Sequence, residues 1–338
     1  MIKRRKKMEA LNRDLLTAAE SGDLKAVEKS LENGFNCTDK DKNTPLHWAA
    51  RKGSRNVAEL LISKGADINS RDDVGDTPLH WAAYKGFRDV SELLISKGAD
   101  INSQSRRKYT PLHQAARGGS RDVAELLISN GADIHSRDDV KNTPLHDAAQ
   151  GGFLDMAELL ISKGADINSQ CRWGDTPLHW AAYKGFRDVA ELLISKGADI
   201  NSQSRRKYTP LHQAARGGSR DVAELLISNG ADIHSRDDVK NTPLHDAAQG
   251  GFLDVAELLI SKGADINSQG RWEYTPLHDA SRGGSRDVAE LLISKGADIH
   301  SQDVDGRIAV IKAKGKTKIF LQVSLFLSFN TNSNYQRM

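Results

Sequence analysis

Thr44-Pro45-Leu46-His47 is the stretch that decides the fold, because it returns at Thr77, Thr110, Thr143, Thr176, Thr209, Thr242 and Thr275, always 33 residues further on. All eight prolines of the chain lie inside these tetrapeptides. A fixed period of this length marks a repeat array, in which one unit cannot bury its own apolar face and must stack on its neighbours. The inference of two or three globular domains from 338 residues is thereby set aside.

Around the tetrapeptide each unit reads as turn, helix, helix and loop. Thr44 suits an N-cap and Pro45 the first helical position, where its missing N–H costs nothing. Leu46, Ala49 and Ala50 then share a helical face, the alanines being small enough to let a neighbouring helix approach, and Gly53 ends the segment. A second helix is predicted over 56–62, where Val57, Leu60 and Leu61 have helical apolar spacing, with Gly65 as its stop. The stretch 65–70 and the polar residues before Thr77 form an extended loop or hairpin.

The tetrapeptide, the Ala-Ala pair, the Leu-Leu pair and the Gly-Ala-Asp-Ile-Asn loop resemble the ankyrin repeat. The resemblance covers eight full repeats, residues 39–302, and a looser unit, 11–38, in which Leu15-Leu16-Thr17-Ala18-Ala19 replaces the proline motif as in an N-terminal cap. It implies an all-α ankyrin-repeat solenoid of helix-turn-helix units joined by β-hairpin-like loops, with first helices lining a concave surface used mainly for protein recognition. A second, longer period is superimposed. Residues 75–173 recur at 174–272 with three changes, Ser91 to Ala190, Met156 to Val255 and Cys171 to Gly270, as a tandem duplication of three repeats would leave them.

The 48 basic and 45 acidic side chains nearly balance at a formal charge of +3, which gives no mark of a nucleic-acid or membrane protein. Cys37 and Cys171 have no ligand-like spacing, so neither a disulfide scaffold nor a zinc knuckle organises the chain and a reducing compartment is expected. Residues 1–10 are expected to be a basic tail. Its run 3–7 reads as a solvated terminus or as a nuclear-import or anionic-surface patch, and no apolar signal region follows it. The expected location is cytoplasmic, with the nucleus as second option.

Catalysis finds no residues to carry it. All eleven histidines lie in the repeat frame, eight in the tetrapeptides and His135, His234 and His300 at a loop position that is Asn elsewhere. No dedicated base or metal ligand is left over, and the motif histidines are expected to hydrogen-bond the loop connections. Gly315-Lys316-Thr317 lacks the earlier glycine of a phosphate-binding loop, since Val310 stands there. The acid pairs Asp72-Asp73, Asp138-Asp139 and Asp237-Asp238 read as solvated turn residues. No catalytic, cofactor or metal site is therefore expected.

Recognition should lie where the repeats differ. If Leu46, Ala49 and Ala50 face the core, Trp48, Arg51 and Lys52 point away from it, and the same phase selects Trp81, Tyr84 and Lys85, then Gln114 and Arg117, then Asp147 and Gln150. The duplicate displays Trp180, Tyr183 and Lys184, then Gln213 and Arg216, then Asp246 and Gln249, and the last repeat Asp279 and Arg282. Aromatic residues beside cations are frequent binding hot spots, although the tryptophans also read as half-buried packing. A second surface is offered by the tips carrying Arg106, Arg107 and Tyr109, and Arg205, Arg206 and Tyr208. Those two tips would stand roughly 25–30 Å apart at helix spacings of about 8–10 Å. Phosphates could bridge that distance, but the acidic tip Asp138-Asp139 between them argues against nucleic acid. The resemblance also implies that Asn69, Asn102, Asn168, Asn201 and Asn267 are candidate substrates of an asparaginyl hydroxylase, the alternative being simple turn asparagines.

From 303 to 338 a degenerate repeat and an atypical C-terminal tail are expected, since Ile308-Ala309-Val310-Ile311 stands where Thr-Pro-Leu-His should be. The apolar stretch 319–327 is too short to span a bilayer. It reads as a divergent cap, a partner or membrane-surface segment, or sequence from a truncated reading frame. The whole reads as a monomeric, non-enzymatic scaffold for a protein partner of unstated identity. The alternative is a substrate-recognition or regulatory subunit of an enzyme complex, and a nucleic-acid-binding repeat protein comes third.

Overall fold

The computed structural model describes the backbone of residues 2–31, 37–313 and 315–335, and side chains over 12–31, 37–313 and 315–326. Among them the regular structure is helical, with one isolated antiparallel bridge between Gln302 and Ile308. The chain divides into two compact units, Met1–Arg172 and Trp173–Met338.

Each repeat builds the same two short helices for the same local reasons. Thr44 is extended (φ −82°, ψ 167°) and caps the helix Pro45–Lys52, with proline in its first turn. Gly53 follows in the left-handed region (φ 74°), and its N–H reaches the Ala49 and Ala50 carbonyls. A Cβ there would lie 2.5 Å from the Phe87 ring of the next repeat, so glycine serves both the turn and the packing. The second helix runs Arg55–Ser63, one residue longer at each end than its apolar spacing alone indicates.

In the first unit, the helices Pro45–Lys52, Pro78–Lys85, Pro111–Gly118 and Pro144–Gly151 stack on one another in one layer. Their partners Arg55–Ser63, Arg88–Ser96, Arg121–Ser129 and Leu154–Ser162 stack in a second. The second unit repeats this arrangement from Pro177–Lys184 to Arg286–Ser294. Leu46, Ala49, Ala50, Val57, Ala58 and Leu61, with their counterparts, are completely or almost completely buried between the layers. Burying each large side chain is worth about 1.5–3 kcal/mol, which helices of eight or nine residues need because they are too short to persist alone.

The turn tips are joined by backbone bonds. Asp73 N–H donates to the Asp41 carbonyl (2.9 Å), Arg106 to Val74 (2.9 Å) and Asp139 to Arg107 (2.9 Å). In the second unit Arg205 donates to Trp173 (2.8 Å) and Asp238 to Arg206 (2.9 Å).

At the amino end the helix Ile2–Ser21 pairs with Leu24–Leu31 and packs on Pro45–Lys52. The expected border between residues 10 and 11 falls inside that first helix. The side chains of the basic run 3–7 lie outside the described residues.

At the other end the repeat frame continues past Gln302 although its tetrapeptide is lost. Val304 N–H donates to the Trp272 carbonyl (3.1 Å), and Asp303 Oδ1 accepts from the Asp305 and Arg307 amides (both 2.9 Å). A four-residue helix, Ala309–Lys312, precedes the long helix Gly315–Tyr335. Ala309, Thr317 and Leu321 are buried, and Thr317 Oγ1 donates to the Gly284 carbonyl (2.9 Å). No helix among the described residues is long and apolar enough to cross a membrane.

Leu321 is fully buried whereas Ile319 is 64% exposed. Leu321→Ala should therefore cost about 2–4 kcal/mol in chemical denaturation. Ile319→Ala should cost under about 0.5 kcal/mol. Equal, negligible effects would show that the segment does not pack on the last repeat.

Candidate recognition surface

The invariant residues of the repeat are consumed by folding. Thr44 N–H donates to His47 Nδ1 (3.1 Å), and the Thr44 hydroxyl lies 2.8 Å from the same nitrogen. His47 Nε2 lies 3.1 Å from the carbonyl of Asp76, 29 residues on, in the turn of the next repeat. A carbonyl only accepts, so Nε2 carries the proton and Nδ1 accepts, which is one neutral tautomer. His80 reaches Tyr109 O (2.9 Å) and His113 reaches Asn142 O (3.1 Å). In the second unit His179 reaches Tyr208 O (2.9 Å), His212 Asn241 O (3.2 Å), His245 Tyr274 O (3.0 Å) and His278 Arg307 O (3.2 Å). Burial pushes His80, His113, His212 and His245 down to about 4, so they stay uncharged at neutral pH.

One aspartate of each acid pair is likewise structural, which corrects the expectation of two solvated turn residues. Asp72 Oδ1 accepts the amides of Val74 (3.0 Å) and Asp76 (2.8 Å), and Asp72 is buried. Asp138 and Asp237 repeat this with Asn142 and Asn241, whereas Asp139 and Asp238 are exposed. The loop asparagines also bridge repeats: Asn69 Oδ1 accepts the Asp100 amide, Asn102 that of Asp133, Asn201 that of Asp232 and Asn267 that of Asp298, each at 2.9 Å. Asn168 donates its own amide to Asp166 Oδ1 (3.0 Å). All five side chains remain exposed.

Several first-helix positions expected on an open face are buried instead. Gln114, Asp147, Asp246 and Asp279 are all under a tenth exposed. Neighbouring first helices approach too closely to leave them in solvent, as Gly118 shows, where a Cβ would overlap the Tyr84 carbonyl oxygen. Gln114 Nε2 donates to Asp76 Oδ2 (3.3 Å), while Asp147 Oδ2 and Asp246 Oδ2 have no partner among the described atoms. Burial raises the Asp147 and Asp246 carboxyls well above the ordinary range, and pushes Asp76 and Asp279 up to about 7.

What stays open is aromatic and basic. Tyr84 is 39% and Tyr183 41% exposed, with Lys85 and Lys184 ammonium groups 5.3 and 5.8 Å from the respective rings. Trp48 and Trp81 are half-buried, and their indole N–H groups donate to Asp39 Oδ2 (3.1 Å) and Asp72 Oδ2 (3.0 Å). The Arg51 guanidinium lies over both rings, at 5.1 and 4.7 Å. Trp180 is half-buried too, and its Nε1 has no partner among the described atoms. Tyr109 and Tyr208, half-buried, each carry a guanidinium at 4.6 Å, from Arg117 and Arg216. Arg106, Arg107, Arg205 and Arg206 are exposed at the tips.

In the second unit such features line an open surface cavity of about 670 Å³ walled by Trp173, Trp180, Tyr183 and Tyr208, with Asp175, Arg205, Arg206 and Arg216 among its polar lining. Trp173, 51% exposed, was not among the residues selected by helical phase, because it sits in a turn. A signal for it existed in the sequence: it is the first position upstream of the second copy, and the corresponding position before the first copy is Val74.

Stacked pairs of short helices, with the recurring residues consumed by folding and the variable ones exposed, define a helical repeat protein. The chain belongs to the ankyrin-repeat family, whose model, Ankyrin repeats (3 copies), matches residues 15–105, 73–138, 104–171, 145–237 and 211–303. The human ASB11 ankyrin repeat domain matches with a TM-score of 0.59 and 29% identity, over 64% of this chain and 97% of that domain. A 66-residue stretch is 41% identical to 26S proteasome non-ATPase regulatory subunit 10 of Dictyostelium discoideum, covering 18% of this chain and 28% of that protein. Acyl-CoA-binding domain-containing protein 2 of Arabidopsis thaliana is 41% identical over 51 residues, 14% of each chain. The match thus spans less than a third of the length of either curated relative.

The depressed histidines refuse protons that the unfolded chain binds between about 4 and 6.5. Their contribution to stability is full above 6.5 and is lost as pH falls toward 4. The raised carboxyls have the opposite sign: Asp76 and Asp279 stabilise most below 3.8, and that contribution is lost as pH rises through about 7. NMR titration of the folded chain should find the His80, His113, His212 and His245 rings neutral at pH 5.5. Protonation near 6.5 would contradict the buried relay.

Proposed function

We propose that this chain is a non-enzymatic scaffold that holds a protein partner against its first-helix face and turn tips. Ankyrin repeats generally mediate protein–protein interaction, and the fold is typically a non-enzymatic module. The observation that carries the reading is the pair Tyr84-Lys85 and its copy Tyr183-Lys184. These side chains are exposed, occur twice, and have no part in the hydrogen-bond scheme that joins the repeats. Aromatic rings beside cations supply binding area at low entropic cost. In the first unit Trp48 and Trp81 would form the floor of such a surface, with Arg106, Arg107 and Tyr109 as its basic rim; in the second unit Trp180 would form the floor, with Arg205, Arg206 and Tyr208 as the rim.

A second reading, a recognition or regulatory subunit of an enzyme complex, is favoured by the stretch shared with a proteasome regulatory subunit and uses the same residues. Nucleic acid fits less well, because the exposed acids Asp139 and Asp238 stand at tips bonded directly to the basic ones. The chain works as a monomer in the cytoplasm or nucleus under either protein-binding reading.

Tyr84→Ala combined with Tyr183→Ala should weaken capture of the partner at least tenfold with helical circular dichroism unchanged, since hot-spot truncations cost about 2 kcal/mol or more. Undiminished capture would remove this surface from consideration.

A further inference from the structure

The cavity of the second unit has a composition that selects its occupant. Its walls are aromatic: Trp173 from one turn, Trp180 and Tyr183 from a first helix, and Tyr208 from the next turn. Its charges come from Arg205, Arg206 and Arg216 against the single carboxylate of Asp175, and that carboxylate already accepts a hydrogen bond from Gln213 Nε2 (3.3 Å). A cationic side chain entering here would meet three guanidinium groups. A neutral apolar one would displace water from these exposed guanidinium groups without offering them a counter-charge.

We propose that this cavity takes an aromatic side chain of a protein partner whose flanking residues are carboxylates, so that the ring packs among the aromatic walls and the acids meet the arginines. The proposal rests on the protein-binding reading above and specifies the chemistry of the partner. The volume, about 670 Å³, lies within the range of sites that enclose a drug-sized group, and so accommodates one aromatic side chain with its neighbours. A phosphate chain would also find rings and arginines, but Asp238 N–H is bonded to the Arg206 carbonyl, which fixes an exposed acid beside the basic tip. A peptide can place its carboxylates away from that acid, whereas a regularly charged polyanion cannot.

The duplication supplies an internal control. Residues 75–117 recur at 174–216 with one change, Ser91 to Ala190, so the first copy has every counterpart of this cavity's lining except one. Val74 stands where the second copy has Trp173. A single aromatic wall therefore separates the two candidate sites, and occupancy is assigned to the second copy alone.

The test is isothermal titration of the intact chain with the blocked peptide Glu-Glu-Tyr-Glu-Glu. Its comparisons are Lys-Lys-Tyr-Lys-Lys, Glu-Glu-Ala-Glu-Glu and a six-nucleotide oligothymidylate. The acidic tyrosine peptide should bind at one site per chain, at least tenfold more tightly than any of the three. Trp173→Val should weaken it tenfold or more, and since Trp173 is half exposed the fold should survive, as circular dichroism would verify. Val74→Trp should raise the stoichiometry from one to two. No binding of the acidic peptide, equal binding of the lysine peptide, tighter binding of the oligonucleotide, or indifference to Trp173→Val would each overturn the proposal. If the peptide fails while the Tyr84 and Tyr183 substitutions still abolish partner capture, the scaffold reading stands and only the acidic-aromatic assignment falls.

Discussion

The hydrogen bond from His47, His80, His113, His179, His212, His245 and His278 to a carbonyl 29 residues further on is the constraint around which the repeats of each unit are organised. It joins the cap of one helix to the turn that precedes the next. The same imidazole accepts the threonine amide at its other nitrogen, so one side chain satisfies a helix-end donor and an inter-repeat acceptor together. Helices of eight residues have little stability of their own, and an array of them behaves as a chain of nearest-neighbour couplings. The histidine bond, the tip-to-tip backbone bonds and the loop asparagines are those couplings, set at three levels of each stack.

This division explains why recognition is expected from the positions that vary between repeats and not from those that recur. A neutral, buried histidine with both nitrogens engaged has no proton to exchange with a substrate near pH 7. The same dry environment shapes the first-helix layer. In each unit buried polar side chains lie between closely approaching first helices, and the raised carboxyls of Asp147 in the first and of Asp246 and Asp279 in the second make that face less negative than the residue types alone indicate. The exposed tyrosines, lysines and arginines therefore dominate its character.

The tetrapeptide made most of the fold legible because Thr, Pro, Leu, His and the closing Gly each act within one turn of chain. Helix limits came within a residue of those observed over Arg55–Ser63. What the sequence concealed depends on the neighbouring repeat. Helical phase placed Asp147 away from the face that carries Leu145, Ala148 and Ala149, but phase says nothing about how near the adjacent first helix stands. The histidines were legible as loop binders, while their reach into the next repeat was not. Trp173 escaped because periodicity averages over copies, and the informative fact was a difference at the border of the duplication, Val74 against Trp173. The C-terminal segment lost its tetrapeptide yet kept Asp303 as the turn organiser, a role visible only once its backbone amides are placed.

The most direct test of the histidine coupling is the unfolding free energy of the His113→Ala, His212→Ala double variant, measured alongside its capture of partner. An inter-repeat role predicts a loss of about 2–4 kcal/mol, from the Asn142 and Asn241 carbonyls and the threonine amides left unpaired, with capture retained wherever the chain is folded. Unchanged stability with capture abolished would contradict it, and would place the histidines in the binding chemistry instead of the frame.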